Sequence, residues 1–208
     1  MNRERFEELW NTKERVDQLK IELWTLLHII EMQVGVPKNI LEIGTKSGGT
    51  LRYWKEIVDT EGMVIAIDID NIPKKYEYLS GLLEDKRLNF ILGDSKAPEI
   101  ISKAKSMLGD KKLDILFIDG DHKYEAAKSD FLNYVGLVKK GGIIVFHDVS
   151  GCSSAKKYWD DVLEEYLMAS NHSSHKDKSK QNIKDKIFTG YYCLCGDKGD
   201  AGIGILIK

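Results

Sequence analysis

At 208 residues, 42% of them hydrophobic and 31% charged, the chain can bury a sizeable core and is neither fibrous nor disordered. Its 31 basic and 33 acidic residues nearly cancel, and a net charge of −2 gives no general pull toward nucleic acid or an anionic membrane. No apolar run approaches the roughly 18 residues of a membrane-spanning helix, and the charged start MNRERFEELW lacks the apolar stretch of a signal peptide.

The three cysteines, Cys152, Cys193 and Cys195, are few and odd in number, which fits a reducing compartment. Cys193 and Cys195 form a C-x-C inside a strand-like run and read as a thiol pair, because a zinc site needs more ligands. The expectation is a soluble, cytoplasmic protein with one domain over 1–208.

Apolar positions Leu9, Val16, Leu19, Leu23, Leu26, Ile30 and Val34 recur at three, four or seven, with no Gly or Pro before Gly35. This spacing predicts a helix over 3–34. From residue 39 a strand–helix alternation begins. Apolar runs at Asn39–Ile43, Met63–Ile67, Leu88–Leu92, Leu113–Ile118 and Ile143–His147 lack polar alternation, as strands covered on both faces do. Helical stretches fall between them near 48–59, 73–84, 97–108 and 123–138. The pattern predicts an open α/β parallel sheet with helices on both sides.

Ser153–Met168 reads as a further helix, and residues 170–186 are a polar, lysine-rich loop. Ile187–Cys195 and Gly202–Lys208 read as two strands joined by a Gly-Asp-Lys-Gly-Asp turn, hence an antiparallel terminal hairpin. The loop reads as solvated surface, with a lid over an acceptor site as the sharper alternative.

Ile40-Leu41-Glu42-Ile43-Gly44-Thr45-Lys46-Ser47-Gly48-Gly49-Thr50 places a strand, a glycine turn and a helix start in succession. Such a turn brings backbone close to a ligand and points helix N–H groups at it. A dinucleotide fingerprint would need glycine where Lys46 stands, and a P-loop would need lysine where Thr50 stands. What remains is E-x-G-x-x-x-G-x-T, which suits a ligand with a positive charge and an amino-acid end; S-adenosylmethionine is one.

Other strand ends add polar groups. Asp68 lies 24 residues after Gly44 and can hold ribose hydroxyls, with Asp70 a near alternative. Asp94 could reach an adenine amino group and Ser95 a ring nitrogen, although either also serves as a helix cap. Asp119 and His122 follow the fourth run. His147 and Asp148 close the fifth.

These strand ends together resemble class I S-adenosylmethionine-dependent methyltransferases, and within them the small-molecule O-methyltransferase branch that includes cephalosporin hydroxylase-like proteins. The stretches that carry the resemblance are Glu42 through Thr50, Ile67-Asp68, Gly93-Asp94-Ser95, F-I-D-G-D-H-K-Y-E from Phe117, and G-G-I-I-V-F-H-D from Gly141. The resemblance implies a Rossmann-like seven-stranded, mostly parallel sheet with a reversed last strand. It implies cofactor contacts from Glu42, Gly44, Asp68 and Asp94, and Thr45, Lys46, Gly48, Thr50, Ser95 and Asp119 complete the expected cofactor site. Metal-dependent relatives place a divalent cation on the positions matching Asp119 and Asp148. Here His147 replaces an oxygen donor beside Asp148, which disfavours magnesium and leaves manganese or no metal.

The activity this implies is methyl transfer to a hydroxyl of a sugar or other small metabolite, with His122 and His147 as the candidate bases. A non-catalytic binding protein and an NAD(P)-dependent oxidoreductase are the competing readings, and a nucleic-acid substrate is disfavoured by the absence of a basic stripe. The leucine-rich N-terminal helix suits a homodimer.

Overall fold

The computed structural model describes residues 1–14, 16–150, 154–168, 190–194 and 202–208. Seven strands form one sheet in the order β3-β2-β1-β4-β5-β7-β6: β1 Asn39–Ile43, β2 Met63–Asp68, β3 Leu88–Leu92, β4 Leu113–Ile118, β5 Val138–His147, β6 Gly190–Leu194 and β7 Ile203–Ile207. The first five run parallel. β7 lies antiparallel to both β5 and β6, which is the expected reversed hairpin.

The strands are mostly apolar because their faces meet helical layers, although the edge strand β3 leaves Leu92 exposed. In β1, Leu41 and Ile43 pack with α6 (Pro98–Leu108), α7 (Tyr124–Tyr134) and α8 (Ser154–Met168). Ile40 packs on the other face with α1 (Arg3–Trp10), α2 (Lys20–Gln33) and α3 (Leu51–Ile57). Ile144 and Phe146 against Ile143 and Val145 divide β5 in the same way. Glu42 points to the second face and is wholly enclosed there.

Two predicted helices are divided. The 3–34 helix ends at Trp10 and resumes at Lys20, although no Gly or Pro intervenes. The cause is Arg52 of α3, buried beneath this stretch. Its guanidinium donates to the Leu9 carbonyl at 3.1 Å, the Glu14 carbonyl at 3.0 Å and the Thr12 hydroxyl. The Thr12 hydroxyl also donates to the Leu9 carbonyl, at 2.9 Å, so side chains compete with helical N–H groups along this stretch.

The 73–84 helix is α4 (Ile72–Lys75) and α5 (Glu77–Leu82), separated by extended backbone at Tyr76. The break lets the Tyr78 hydroxyl donate to the Ser47 carbonyl and sets Leu79 beneath Gly48. The helix expected from residue 48 starts at Leu51. The polar loop 170–186, Cys152, Cys195 and the turn at 196–200 lie outside the described residues.

Candidate active-site crevice

Chain order reverses between β1 and β4, and their carboxyl ends open a crevice there, as expected for such sheets. The Gly44 N–H donates to the Ile67 carbonyl at 2.8 Å, and the Asp119 N–H to the Ile43 carbonyl at 2.8 Å. Gly44 adopts φ +79°, and a Cβ there would lie 2.3 Å from the Asp119 carbonyl oxygen. Only glycine satisfies that turn and that approach. The crevice has a volume of about 540 Å³, within the range of small-ligand sites.

Most of the residues singled out from the sequence line this crevice: Glu42, Gly44, Thr45, Lys46, Thr50, Asp68, Asp94, Ser95, Asp119, His122, His147 and Asp148. Gly48 instead shapes the turn below it, at φ +75° against Leu79. Glu42 accepts from the Thr50 hydroxyl through Oε1, while its buried Oε2 has no partner. Burial, opposed by Thr50, carries its carboxyl up to about 8.

Asp68 Oδ2 accepts from the Thr45 and Lys46 N–H groups at 2.9 and 2.8 Å, and Oδ1 from the Asp70 N–H at 2.9 Å. The glycine turn and the β2 carboxylate therefore fix each other, with accepting capacity left on Oδ1. Asp94 Oδ1 accepts from the Lys96 N–H at 3.0 Å, whereas α6 begins after Ala97. Ser95 donates to Asp130 Oδ1 at 2.6 Å, so its oxygen faces the crevice as an acceptor. Burial, again opposed by the serine hydroxyl, raises the Asp130 carboxyl to about 6.

Two histidines meet the carboxylates from different depths. His147 is 7% exposed; its Nδ1 lies 3.2 Å from Asp119 and 3.3 Å from Asp148 without hydrogen-bond alignment, and its Nε2 lies 3.9 Å from Glu22. Burial works against charge on this ring. The flanking carboxylates overcome it and lift the imidazole to about 10. His122 sits on the rim with half its side chain open, its Nδ1 2.8 Å from Asp148 Oδ2. That contact raises the His122 imidazole above its ordinary value. Burial alone would raise Asp148, but the two imidazoles hold it far below the carboxylate range.

Asp148 takes a left-handed φ of +57°, a conformation that aspartate tolerates better than bulkier residues. Asp119, His122 and Asp148 each offer a ligand atom within 4.8 Å of the others. Two carboxylates and an imidazole suit manganese better than magnesium.

Three crevice-side residues belong to none of the motifs singled out from the sequence. Asp17 meets Lys46 at 3.3 Å, Gln18 donates to Asp119 Oδ2 at 2.6 Å, and Glu22 is buried facing His147. Asp17 and Gln18 fall between the apolar positions of the helix expected over 3–34, where nothing in the spacing sets them apart. Glu22 did carry a signal: it falls three residues after Leu19 and four before Leu26, a carboxylate in an apolar stripe.

A family described as a methyltransferase domain matches residues 41–149, just over half of the chain. The chain belongs to that methyltransferase-domain family. An uncharacterized protein of Acanthamoeba polyphaga mimivirus is 34% identical over 118 residues, covering 52% of this chain and 50% of its own. Demethylmacrocin O-methyltransferase of Streptomyces fradiae is 26% identical over 117 residues, covering 53% of this chain and 27% of its own. This methyltransferase domain thus spans half or less of the curated relatives it matches.

The crystal structure of the MycE methyltransferase from the mycinamycin biosynthetic pathway, in complex with Mg and SAH, superposes with a TM-score of 0.68. It shares 18% identity and covers 98% of this chain and 53% of its own. The sheet order is accordingly that of the Rossmann-like methyltransferase fold. Among the described residues no helix is long and apolar enough to cross a membrane.

Proposed function

We propose that the chain is an S-adenosylmethionine-dependent O-methyltransferase acting on a hydroxyl of a small molecule. The observation that carries the reading is the His122–Asp148 pair at 2.8 Å, half open on the rim of a crevice floored by the Glu42–Gly44 turn. The cofactor fits on this structure's own terms. The unpartnered Glu42 Oε2 would receive a donor from an amino-acid end, Asp68 retains accepting capacity that would suit ribose, and Gly44 leaves the turn open to close approach.

S-adenosylmethionine supplies an electrophilic methyl group when bound. His122 takes the proton of the acceptor hydroxyl at Nε2, while Asp148 holds Nδ1 and fixes the tautomer. Asp148 also stabilises the imidazolium that results. His147 is poorly suited to this task, because it is enclosed and two nearby carboxylates favour its charged form. It instead balances the charge of Asp119 and Asp148. Positioning of the hydroxyl by the crevice walls supplies much of the remaining rate.

A metal-assisted variant rests on the same cluster. Asp119, His122 and Asp148 would hold a divalent cation, which would polarise the acceptor oxygen. A homodimer through the N-terminal helices is supported by the exposed Ile21, Met32 and Val36 on and just beyond α2.

The test is transfer of labelled methyl from S-adenosylmethionine to a panel of sugar and phenolic hydroxyls, with manganese or with EDTA. Activity that survives EDTA and falls at least a hundredfold in His122→Ala supports the base reading. Loss with EDTA and recovery with manganese assigns the metal variant. Failure to bind either S-adenosylmethionine or S-adenosylhomocysteine refutes both.

A further inference from the structure

Gln18 belongs to none of the sequence motifs, yet it lies inside the crevice. It follows the stretch that Arg52 holds out of helical form, and its side chain is 6% exposed. Nε2 donates to Asp119 Oδ2 at 2.6 Å, a short, charge-assisted contact that fixes which way the carboxamide faces. Oε1 is then an acceptor, enclosed and without a partner. A buried carbonyl oxygen left unpaired is costly, so it marks a place where a ligand donor belongs.

The surroundings define that donor. Glu42 Oε2, also enclosed and unpartnered, lines the same crevice, as do Asp17 and Asp119. These groups mainly accept. An ammonium, with three donors and no acceptor, matches them, whereas a carboxylate would be repelled.

Resting on the cofactor reading above, we infer that Gln18 is a cofactor-binding residue, its Oε1 accepting a hydrogen bond from the α-ammonium of the cofactor's amino-acid end. The N-terminal segment then does more than cover the sheet. It completes the wall that distinguishes a full S-adenosyl amino acid from adenosyl fragments lacking the amine.

The experiment compares calorimetric affinities of the full chain and its variants for three probes. These are S-adenosylhomocysteine, its deaminated analogue and 5′-methylthioadenosine, which lacks the amino-acid end. In Gln18→Leu, affinity for S-adenosylhomocysteine is expected to fall roughly ten- to a hundredfold, the range of a hydrogen bond to a charged group. The two amine-free probes are expected to bind as they do to the parent, which also reports an intact fold. Gln18→Glu keeps an acceptor oxygen and gives up the hydrogen bond to Asp119, and is expected to keep the preference for the amine.

Equal losses for S-adenosylhomocysteine and its deaminated analogue in Gln18→Leu would overturn the inference. So would loss of the amine preference in Gln18→Glu, since Gln18 would then act only by holding Asp119. If the parent chain binds none of the three probes, the cofactor reading fails first and this inference with it.

Discussion

Replacing Glu42 by Gln removes a carboxyl that the fold encloses completely. In the unfolded chain that carboxyl titrates near 4.5, and in the fold burial carries it to about 8 against the opposing Thr50 hydroxyl. The native state therefore holds a proton that the unfolded state releases. The stability so contributed is fully present below pH 4.5. It falls by about 1.4 kcal/mol per pH unit as pH rises toward 8 and levels off beyond. Across that window the fall is on the order of 5 kcal/mol.

Glutamine cannot ionise and lacks this slope. It leaves an amide N–H pair where Oε2 now has no partner, which costs about 1–3 kcal/mol at every pH. The variant should therefore be the less stable protein near pH 4.5 and the more stable one above pH 8, with the two curves crossing between about pH 5 and 7. Urea unfolding at unit intervals from pH 4.5 to 9, with slopes checked for constancy, measures this directly. Parallel pH profiles for parent and variant would refute the reasoning, because Glu42 would then titrate alike in both states.

Arg52→Met should cost about 2–4 kcal/mol in urea unfolding, because the Leu9 and Glu14 carbonyls lose their buried donor; an unchanged midpoint would show that Arg52 does not hold that stretch. Gly44→Ala should abolish S-adenosylhomocysteine binding and lower the thermal midpoint by several degrees, since its Cβ would lie 2.3 Å from the Asp119 carbonyl oxygen. Asp130→Asn should flatten the fall in stability between pH 3.8 and about 6, the window in which the folded Asp130 carboxyl keeps a proton that the unfolded chain has lost; retention of the parent's slope there would assign it to other groups.

The five parallel strands were legible because β1, β2 and β4 bury both faces, β5 does so from Ile143, and the edge strand β3 still buries Leu88 and Ile91. That leaves an uninterrupted apolar run bounded by turn residues, and observed bounds match the expected ones within a residue for β1 to β4. β5 begins earlier, at Val138, because Lys139 and Lys140 hid its first turn of pairing while Val138 already pairs with Leu113. The glycine turn, Asp68 and the strand-end polar groups were equally readable, since each follows an apolar run and the carboxyl ends of parallel strands share one edge of the sheet. Those are local rules, and local rules reach a few residues.

What only the tertiary structure decided lies beyond that reach. Arg52 meets the Leu9 and Glu14 carbonyls from about 40 residues away, beyond the reach of the apolar spacing read over 3–34. Gln18 meets Asp119 across 101 residues of chain. The sequence named His122 and His147 as equals. Depth alone separates them, because one ring is sealed among acids on the sheet's inner face and the other stands half in water on the rim. By itself the sequence determined which segments extend into strands and where a ligand would approach. The protonation and partners of the side chains there depend on burial and on through-space charge, quantities that exist only once distant segments have been packed together.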